Sequence, residues 1–126
     1  EEGLDNVFRR HMRHGRAARA AVDAWGLELQ CAVPEQCSDV LTTVVMPEGH
    51  DADAFRALVH DRFNMSLGTG LGRLKGRVFR IGHVGDFNDL MLAATLAGVE
   101  SGLALCSVPI ERRGVDAALR SLERDD

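Results

Sequence analysis

A glycine-rich segment in the second half of the chain limits the folds that this sequence can adopt. Residues 66–89 have the sequence SLGTGLGRLKGRVFRIGHVGDFND, with glycines at positions 68, 70, 72, 76, 82 and 85. The run MSLG at 65–68 and the run RVFRIG at 77–82 predict two short strands, and a glycine loop connects them. Such a loop is either a flexible connection between strands or a segment whose backbone closely approaches a ligand.

The spacing of these glycines excludes the two common nucleotide-binding loops. Glycines at 68 and 70 begin a G-x-G pattern, but position 73, where a dinucleotide fingerprint needs its third glycine, is Arg. The following residues also favour a strand rather than the helix whose N-terminus would hold a pyrophosphate. No G-x-x-x-x-G-K-[ST] sequence is present either.

The remaining segments alternate between helical and strand-like patterns. Apolar residues at helical spacing predict a helix over 4–25 that ends at Gly26, and a second helix over 50–63 with Asp51 as its N-cap. The runs at 27–33 and 40–46 predict two adjacent strands, and helices are predicted over 86–105 and 114–124. The order α-ββ-α-ββ-α-α implies an α+β fold with a small antiparallel or mixed sheet packed by helices.

Composition narrows the class of protein. The 126 residues amount to one domain, 1–126, and 45% hydrophobic with 27% charged residues is typical of a globular chain. The net charge of −4 argues against nucleic acid as a partner. The apolar run within 86–105 is interrupted by Gly98, Glu100 and Gly102 and is shorter than the about 20 residues of a membrane span, so a core helix covered on most sides is expected.

The cysteines give no metal signature. They are odd in number, and their spacing fits no metal site; we expect them to be reduced thiols of a cytoplasmic protein. These residues are Cys31, Cys37 and Cys106.

Arg80 is the leading candidate for ligand binding. Side chains alternate between the two faces of a strand, so in RVFRIG Phe79 and Ile81 point to one face and Arg80 points to the other. If Phe79 and Ile81 face the helices, Arg80 lies on the opposite face of the sheet, beside the glycine loop. An Arg held on a rigid strand is suited to bind a carboxylate through two hydrogen bonds. An ordinary surface Arg is the alternative.

The histidines are weaker candidates. His11 and His14 lie one helical turn apart, but no carboxylate or Cys is placed to complete a metal site, so an exposed basic face with the neighbouring arginines is expected. His83 follows Arg80 closely and would orient a loop, contact a ligand or simply pack. No Ser-His-Asp or Cys-His arrangement indicates a catalytic residue. The arginines of the basic face are Arg9, Arg10, Arg13, Arg16 and Arg19.

The sequence MSLGTGLGRLKGRVFRIGHVGDFNDLMLAATLAGVESGL resembles the C-terminal part of the class V, fold-type I, pyridoxal-phosphate aminotransferases. Within this family it is most similar to the serine–glyoxylate and alanine–glyoxylate branch, and FRIGHVGDFND is the most specific piece. The first 29 residues resemble the helix by which these enzymes pass from the large cofactor domain to the small domain. LTTVVMPEGHDADAFRALVHDRFNMSLG and GVDAAL also fit, so the resemblance covers nearly the whole chain.

The resemblance implies a role for Arg80, the Arg of FRIG, which in the family binds the α-carboxylate of the substrate. Ser66, Gly68, Gly70 and His83 would then belong to an active-site loop. Lys75, the single lysine of the chain, lies outside the family's Schiff-base motif. The Lys that binds pyridoxal phosphate is therefore expected in a large domain that this chain lacks, so that the chain alone binds no cofactor and is inactive.

The resemblance also implies the substrates and partners of the whole enzyme. Serine or alanine would donate an amino group to glyoxylate or a similar 2-oxo acid, and the enzyme would be a cytoplasmic homodimer. The chain starts with Glu rather than Met, inside a helical pattern, and is expected to be part of a longer protein. The alternative is a free-standing ligand-binding or dimerisation module derived from the small domain.

Overall fold

Helices and strands follow one another along the chain in the order that the sequence predicts. The computed structural model describes residues 3–31, 37–83 and 87–124. Three predicted features fall partly outside these ranges: residues 32–33 of the first predicted strand, Gly85 of the glycine-rich segment, and residue 86 of the third predicted helix. The elements are α1 (Leu4–Trp25), β1 (Glu28–Leu29), β2 (Leu41–Val45), α2 (Ala52–Phe63), β3 (Gly68–Thr69), β4 (Val78–Gly82), α3 (Asp89–Leu105) and α4 (Gly114–Arg124), with a 3-10 turn at Gly72–Leu74.

The strands form one antiparallel sheet in the order β1-β2-β4-β3. Val44 of β2 lies opposite Phe79 of β4, and both are fully buried in the hydrophobic core. The next pair, Thr43 and Arg80, has the opposite side-chain direction because side chains alternate along a strand. One face of the sheet therefore packs on the helices and the other carries Arg80. The predicted α+β class is confirmed, with the antiparallel form of the sheet.

Side-chain caps fix where two of the helices begin. The carboxylate of Asp51 accepts a hydrogen bond from the backbone N–H of Asp53, which confirms the predicted N-cap of α2. The side-chain oxygen of Asn88 accepts the N–H of Met91 at 2.8 Å, so that α3 begins at Asp89, three residues later than the predicted start. Local hydrogen bonding, rather than the apolar pattern, sets this boundary.

Glu100 joins three helices. Its side chain is buried on α3, where Oε1 accepts the indole N–H of Trp25 from α1 at 2.9 Å and the backbone N–H of Gly114 from α4 at 2.6 Å. Arg113 donates to Oε2 at 3.2 Å. Burial by itself would raise the pKa of Glu100, but these donors stabilise the carboxylate, and the pKa lies below its usual value.

Helix α3 is less covered than its apolar sequence predicts. Leu92, Leu96 and Val99 are fully buried, whereas Leu90 is 80% exposed and Leu105 is 45% exposed. The expectation of a helix covered on most sides is wrong because, within the described residues, the buried side chains of α3 lie on one face, which packs against α1, α2 and α4. None of the described helices combines the length and the apolar composition that a membrane-spanning segment requires.

His14 does not lie on an exposed basic face, contrary to the sequence-based expectation. Its side chain is fully buried, and its Nε2 lies 2.8 Å from Oδ1 of Asp89, at the start of α3. Arg13 donates from Nη2 to Oδ2 of the same carboxylate at 3.3 Å. Burial raises the pKa of Asp89, but the bonds from His14 and Arg13 outweigh it, and the pKa is lowered. The expectation failed because Asp89 is distant in sequence and close in space.

The cysteines also differ from the expectation of reduced thiols. Cys31 and Cys37 form a disulfide, with their Cα atoms 5.7 Å apart. Both lie in the connection between β1 and β2, whose ends the pairing of these strands brings together. Cys106 is a free thiol, and burial raises its pKa.

Candidate functional site

Strand β4 places Arg80 on the sheet face that points away from the helices. Phe79 and Ile81 are fully buried in the core, whereas Arg80, between them, is half-buried. The alternation predicted from the sequence is confirmed. The functional role of Arg80 stays a prediction.

The glycine loop folds over this face of the sheet next to Arg80. Gly70 is buried, and a Cβ atom there would overlap the carbonyl of Leu74 and approach Cγ2 of Val78 to 2.7 Å. Only a residue without a side chain allows the turn at 72–74 to pass so close to the sheet. The turn therefore buries Val78, which points to the same face of the sheet as Arg80.

Arg80 itself lies against strand β3. Gly68 is its direct partner across the β3–β4 ladder, and a Cβ atom at Gly68 would lie 3.1 Å from Nε of Arg80. Nε is buried and has no hydrogen-bond partner within the described residues. A buried donor without a partner is costly, and a bound anion would supply the missing acceptor. Arg80 is therefore suited to bind a carboxylate.

The sequence did not identify Thr43 and Gly68 as neighbours of Arg80. Thr43 of β2 lies opposite Arg80 on one side and Gly68 on the other, so both share its sheet face. Gly68 was singled out only as part of a loop, and Thr43 was not singled out. The register of the strands, which the sequence does not specify, determines both contacts.

The structure does not bring Ser66 or His83 to Arg80. Ser66 is exposed and lines a shallow groove of about 270 Å³ along α2, together with Arg56 and His60. His83 is fully buried on the helix side of the sheet, where its Nε2 lies 2.8 Å from Oγ1 of Thr42. The contacts of His83 support the packing interpretation rather than a ligand role.

Burial decides the charge of His83. Removal from water lowers its pKa to about 4, although the backbone of Asp39 favours the protonated form. Coulombic interactions with His14 and Arg19 also lower the pKa of His83. His83 is therefore neutral at pH 7 and acts as a hydrogen-bonding core residue.

Lys75 binds the glycine loop to helix α2. Its ammonium group lies 2.9 Å from Oδ2 of Asp53, and Thr69 donates a hydrogen bond to Oδ1 of the same carboxylate at 3.1 Å. The hydrogen bond from Lys75 is the main reason that the pKa of Asp53 is lowered. The single lysine of the chain is thus paired at an exposed surface, and the residues present do not fit the Schiff-base site of pyridoxal phosphate. In the described ranges, no group of three or more His, Cys, Asp or Glu residues could hold a metal ion.

Comparison with known proteins identifies relatives along the whole chain. No protein-family model matches it. The chain is 44% identical over 126 residues to serine–glyoxylate aminotransferase of Methylorubrum extorquens, covering 100% of this chain and 31% of that protein. It is 45% identical over 118 residues to L-aspartate–glyoxylate aminotransferase of Paracoccus denitrificans, covering 93% and 30%. The chain thus spans about a third of the length of these relatives.

Solved structures agree with the sequence relatives. Ureidoglycine–glyoxylate aminotransferase from Bacillus subtilis matches with a TM-score of 0.87 at 32% identity, over 97% of this chain and 32% of that chain. Pyridoxamine–pyruvate aminotransferase from Mesorhizobium loti matches with a TM-score of 0.92 at 29% identity, over 99% and 32%. The likeness extends over nearly every described element, and the chain matches the C-terminal part of class V aminotransferases.

Proposed function

We propose that this chain is the small domain of a pyridoxal-phosphate aminotransferase and that Arg80 binds the α-carboxylate of the substrate. The enzyme transfers an amino group from serine, or alanine, to glyoxylate or a similar 2-oxo acid. The observation that carries the proposal is the buried Nε of Arg80, which has no hydrogen-bond partner among the described residues and lies on the sheet face away from the helices. The names of the relatives support glyoxylate as the acceptor and make aspartate a further donor to test.

One fixed arginine serves both substrates. Amino acids and 2-oxo acids carry the same carboxylate next to the reacting carbon, so a guanidinium that binds this group orients the donor and the acceptor alike. The planar guanidinium forms two parallel hydrogen bonds to a carboxylate, which fixes direction as well as position. The glycine loop at 70–77 packs on Val78, which lies two residues before Arg80 on the same face of the sheet.

The chain supplies substrate binding rather than the reacting group. Pyridoxal phosphate is the electron sink of amino transfer, and a Lys binds it. Because Lys75 is paired with Asp53, we assign the cofactor to a large domain that precedes this chain in a longer polypeptide. The chain alone is then inactive.

Helix α1 carries exposed apolar side chains, which favours contact between this helix and another protein surface. Leu4, Phe8 and Met12 recur at intervals of four residues and are 68%, 57% and 45% exposed. In the proposed enzyme, the large domain and the second subunit of a homodimer are the candidates to cover them. The proposal places the enzyme in the cytoplasm, where cellular reductants would open the bond between Cys31 and Cys37.

The test is an assay of the full-length gene product against the 126-residue chain. Serine, alanine and aspartate are offered separately as donors with glyoxylate as acceptor, and glycine formation is measured with pyridoxal phosphate present. The full-length protein is expected to form glycine with at least one donor, and the chain alone is expected to form none. Failure of the full-length protein with every donor would contradict the proposal and favour a free-standing binding module. Amino transfer by the chain alone would contradict the assignment of the cofactor to a large domain.

A further inference from the structure

We infer that Gly68 is a positioning residue for Arg80: the missing side chain at position 68 leaves the space in which the Arg80 side chain lies across strand β3. The inference rests on the proposed role of Arg80 in carboxylate binding and goes beyond it. It assigns to one glycine the orientation of the guanidinium, and it predicts kinetic consequences that are separable from those of Arg80 itself.

The distances define the space at Gly68. A Cβ atom at this position would lie 3.0 Å from Cβ of Arg80, 3.1 Å from Nε and 3.7 Å from Cζ. The first two distances are shorter than an ordinary van der Waals contact between heavy atoms, which is about 3.5–4.0 Å. Cβ of Arg80 is fixed by the backbone of β4, so a methyl group at position 68 would be relieved at the flexible end of the side chain, where Nε would move by several tenths of an ångström.

Backbone conformation does not explain this glycine. Gly72 and Gly76 have φ angles of +58° and +79°, which favour glycine, but Gly68 is not among the residues with positive φ. Any residue could adopt the extended backbone of β3 at this position. The requirement for glycine is consequently one of space, and the atoms that fill the space belong to Arg80.

Strand β3 cannot easily move to relieve such a contact. On one side of Gly68, the carbonyl of Leu67 accepts a hydrogen bond from Nε of Arg56 at 2.8 Å. On the other side, Thr69 donates from Oγ1 to Asp53 at 3.1 Å. Both neighbours of Gly68 are thus bound to helix α2, and the ladder to β4 holds the strand from its other edge. The more flexible Arg80 side chain would shift instead.

A shifted guanidinium loses alignment with both oxygens of a bound carboxylate. A misplacement of about 1 Å at a reacting group costs about 100-fold in rate, so a shift of several tenths of an ångström should cost about tenfold in kcat/KM. Because Arg80 orients donor and acceptor alike, the loss should be similar for serine and for glyoxylate. A general loss of folding would instead reduce the cofactor content and the unfolding temperature.

The experiment is a double-mutant cycle in the full-length enzyme with Gly68→Ala, Arg80→Ala and the combination. If Gly68 acts through Arg80, Gly68→Ala lowers kcat/KM about tenfold in the Arg80 background and has almost no effect in the Arg80→Ala background. Gly98→Ala on α3 is the matched control, because its Cβ would meet only the flexible end of Met65. Cofactor absorbance and melting temperature are recorded for every variant.

The outcomes separate this inference from the proposed function. If Arg80→Ala leaves kcat/KM unchanged, the role of Arg80 and the inference fail together. If Arg80→Ala lowers kcat/KM but Gly68→Ala does not, or lowers it equally in both backgrounds, only the inference is overturned. If Gly68→Ala alone does not fold, it is combined with Arg80→Gly, which removes Cβ as well as Nε and Cζ at position 80; this combination should fold, and an equally insoluble one would overturn the inference.

Discussion

Replacement of Glu100 by Ala should destabilise the chain strongly, because it removes the acceptor at the junction of α1, α3 and α4. The indole N–H of Trp25 and the backbone N–H of Gly114 are both buried and both donate to Oε1 of Glu100. The N–H of Val115 donates to the same atom at 3.2 Å from a partly buried position. The ion pair with Arg113 contributes little, because Arg113 is 74% exposed.

The expected loss follows from the donors left without a partner. A buried donor without an acceptor costs about 1–3 kcal/mol, so the two buried N–H groups give about 2–6 kcal/mol. A domain of this length has a free energy of unfolding of about 6–19 kcal/mol, so the loss is a large share of the total. Glu100→Gln keeps an amide oxygen as acceptor and loses only the charge, and should cost about 1–2 kcal/mol.

Trp25 makes the measurement direct. It is the single tryptophan of the chain and is fully buried at this junction, so its fluorescence reports on the site during urea unfolding. With a slope of about 1–3 kcal/mol per molar urea, Glu100→Ala should lower the midpoint by about 1 M or more. Glu123→Ala, an exposed change on α4, is the control and should stay within about 0.5 kcal/mol. A Glu100→Ala variant as stable as this control would refute the reasoning.

Two further predictions concern titration and thiols. The pKa of His83 is about 4 in the folded chain and 6.5 for the free side chain. As the pH falls, the unfolded chain therefore takes up the proton before the folded chain does. The free energy of unfolding should fall by up to about 3 kcal/mol between pH 6.5 and pH 4. His83→Gln, which keeps a polar group toward Thr42, should flatten this part of the urea-midpoint profile, and an unchanged profile would contradict the assignment. The chain unfolded without reductant should show one reactive thiol, from Cys106, and three after reduction; three before reduction would show that Cys31 and Cys37 are not joined.

Local sequence signals predicted the elements of the fold well. The helix over 4–25 was predicted with its observed bounds, because its apolar spacing is regular and Gly26 adopts the left-handed conformation that ends it, with φ of 78°. The cap at Asp51 and the buried parity of Phe79 and Ile81 followed from equally local rules. The family resemblance rested on motifs in the same segments, and the relatives bear it out.

Contacts between distant parts of the chain were not predicted. His14 is buried because Asp89, 75 positions later, supplies its partner. In the sequence, Glu100 was only an interruption of an apolar run, because the donors that surround it come from two other helices. The pairing of Gly68 with Arg80 depends on strand register, which short glycine-rich strands specify weakly.

The most direct test of Arg80 as the carboxylate anchor is kcat/KM for serine and for glyoxylate in full-length Arg80→Ala, with cofactor occupancy checked by absorbance. Loss of one partner of a buried charge pair costs about 2–5 kcal/mol, so a fall of about 30- to 4,000-fold is expected for both substrates. Arg80→Lys should recover only part of the loss, because an ammonium group lacks the planar pair of donors. Arg120→Ala, an exposed change on α4, should leave both values unaltered. A fall of less than about threefold for both substrates in Arg80→Ala, with the cofactor still bound, would show that the carboxylate is held elsewhere.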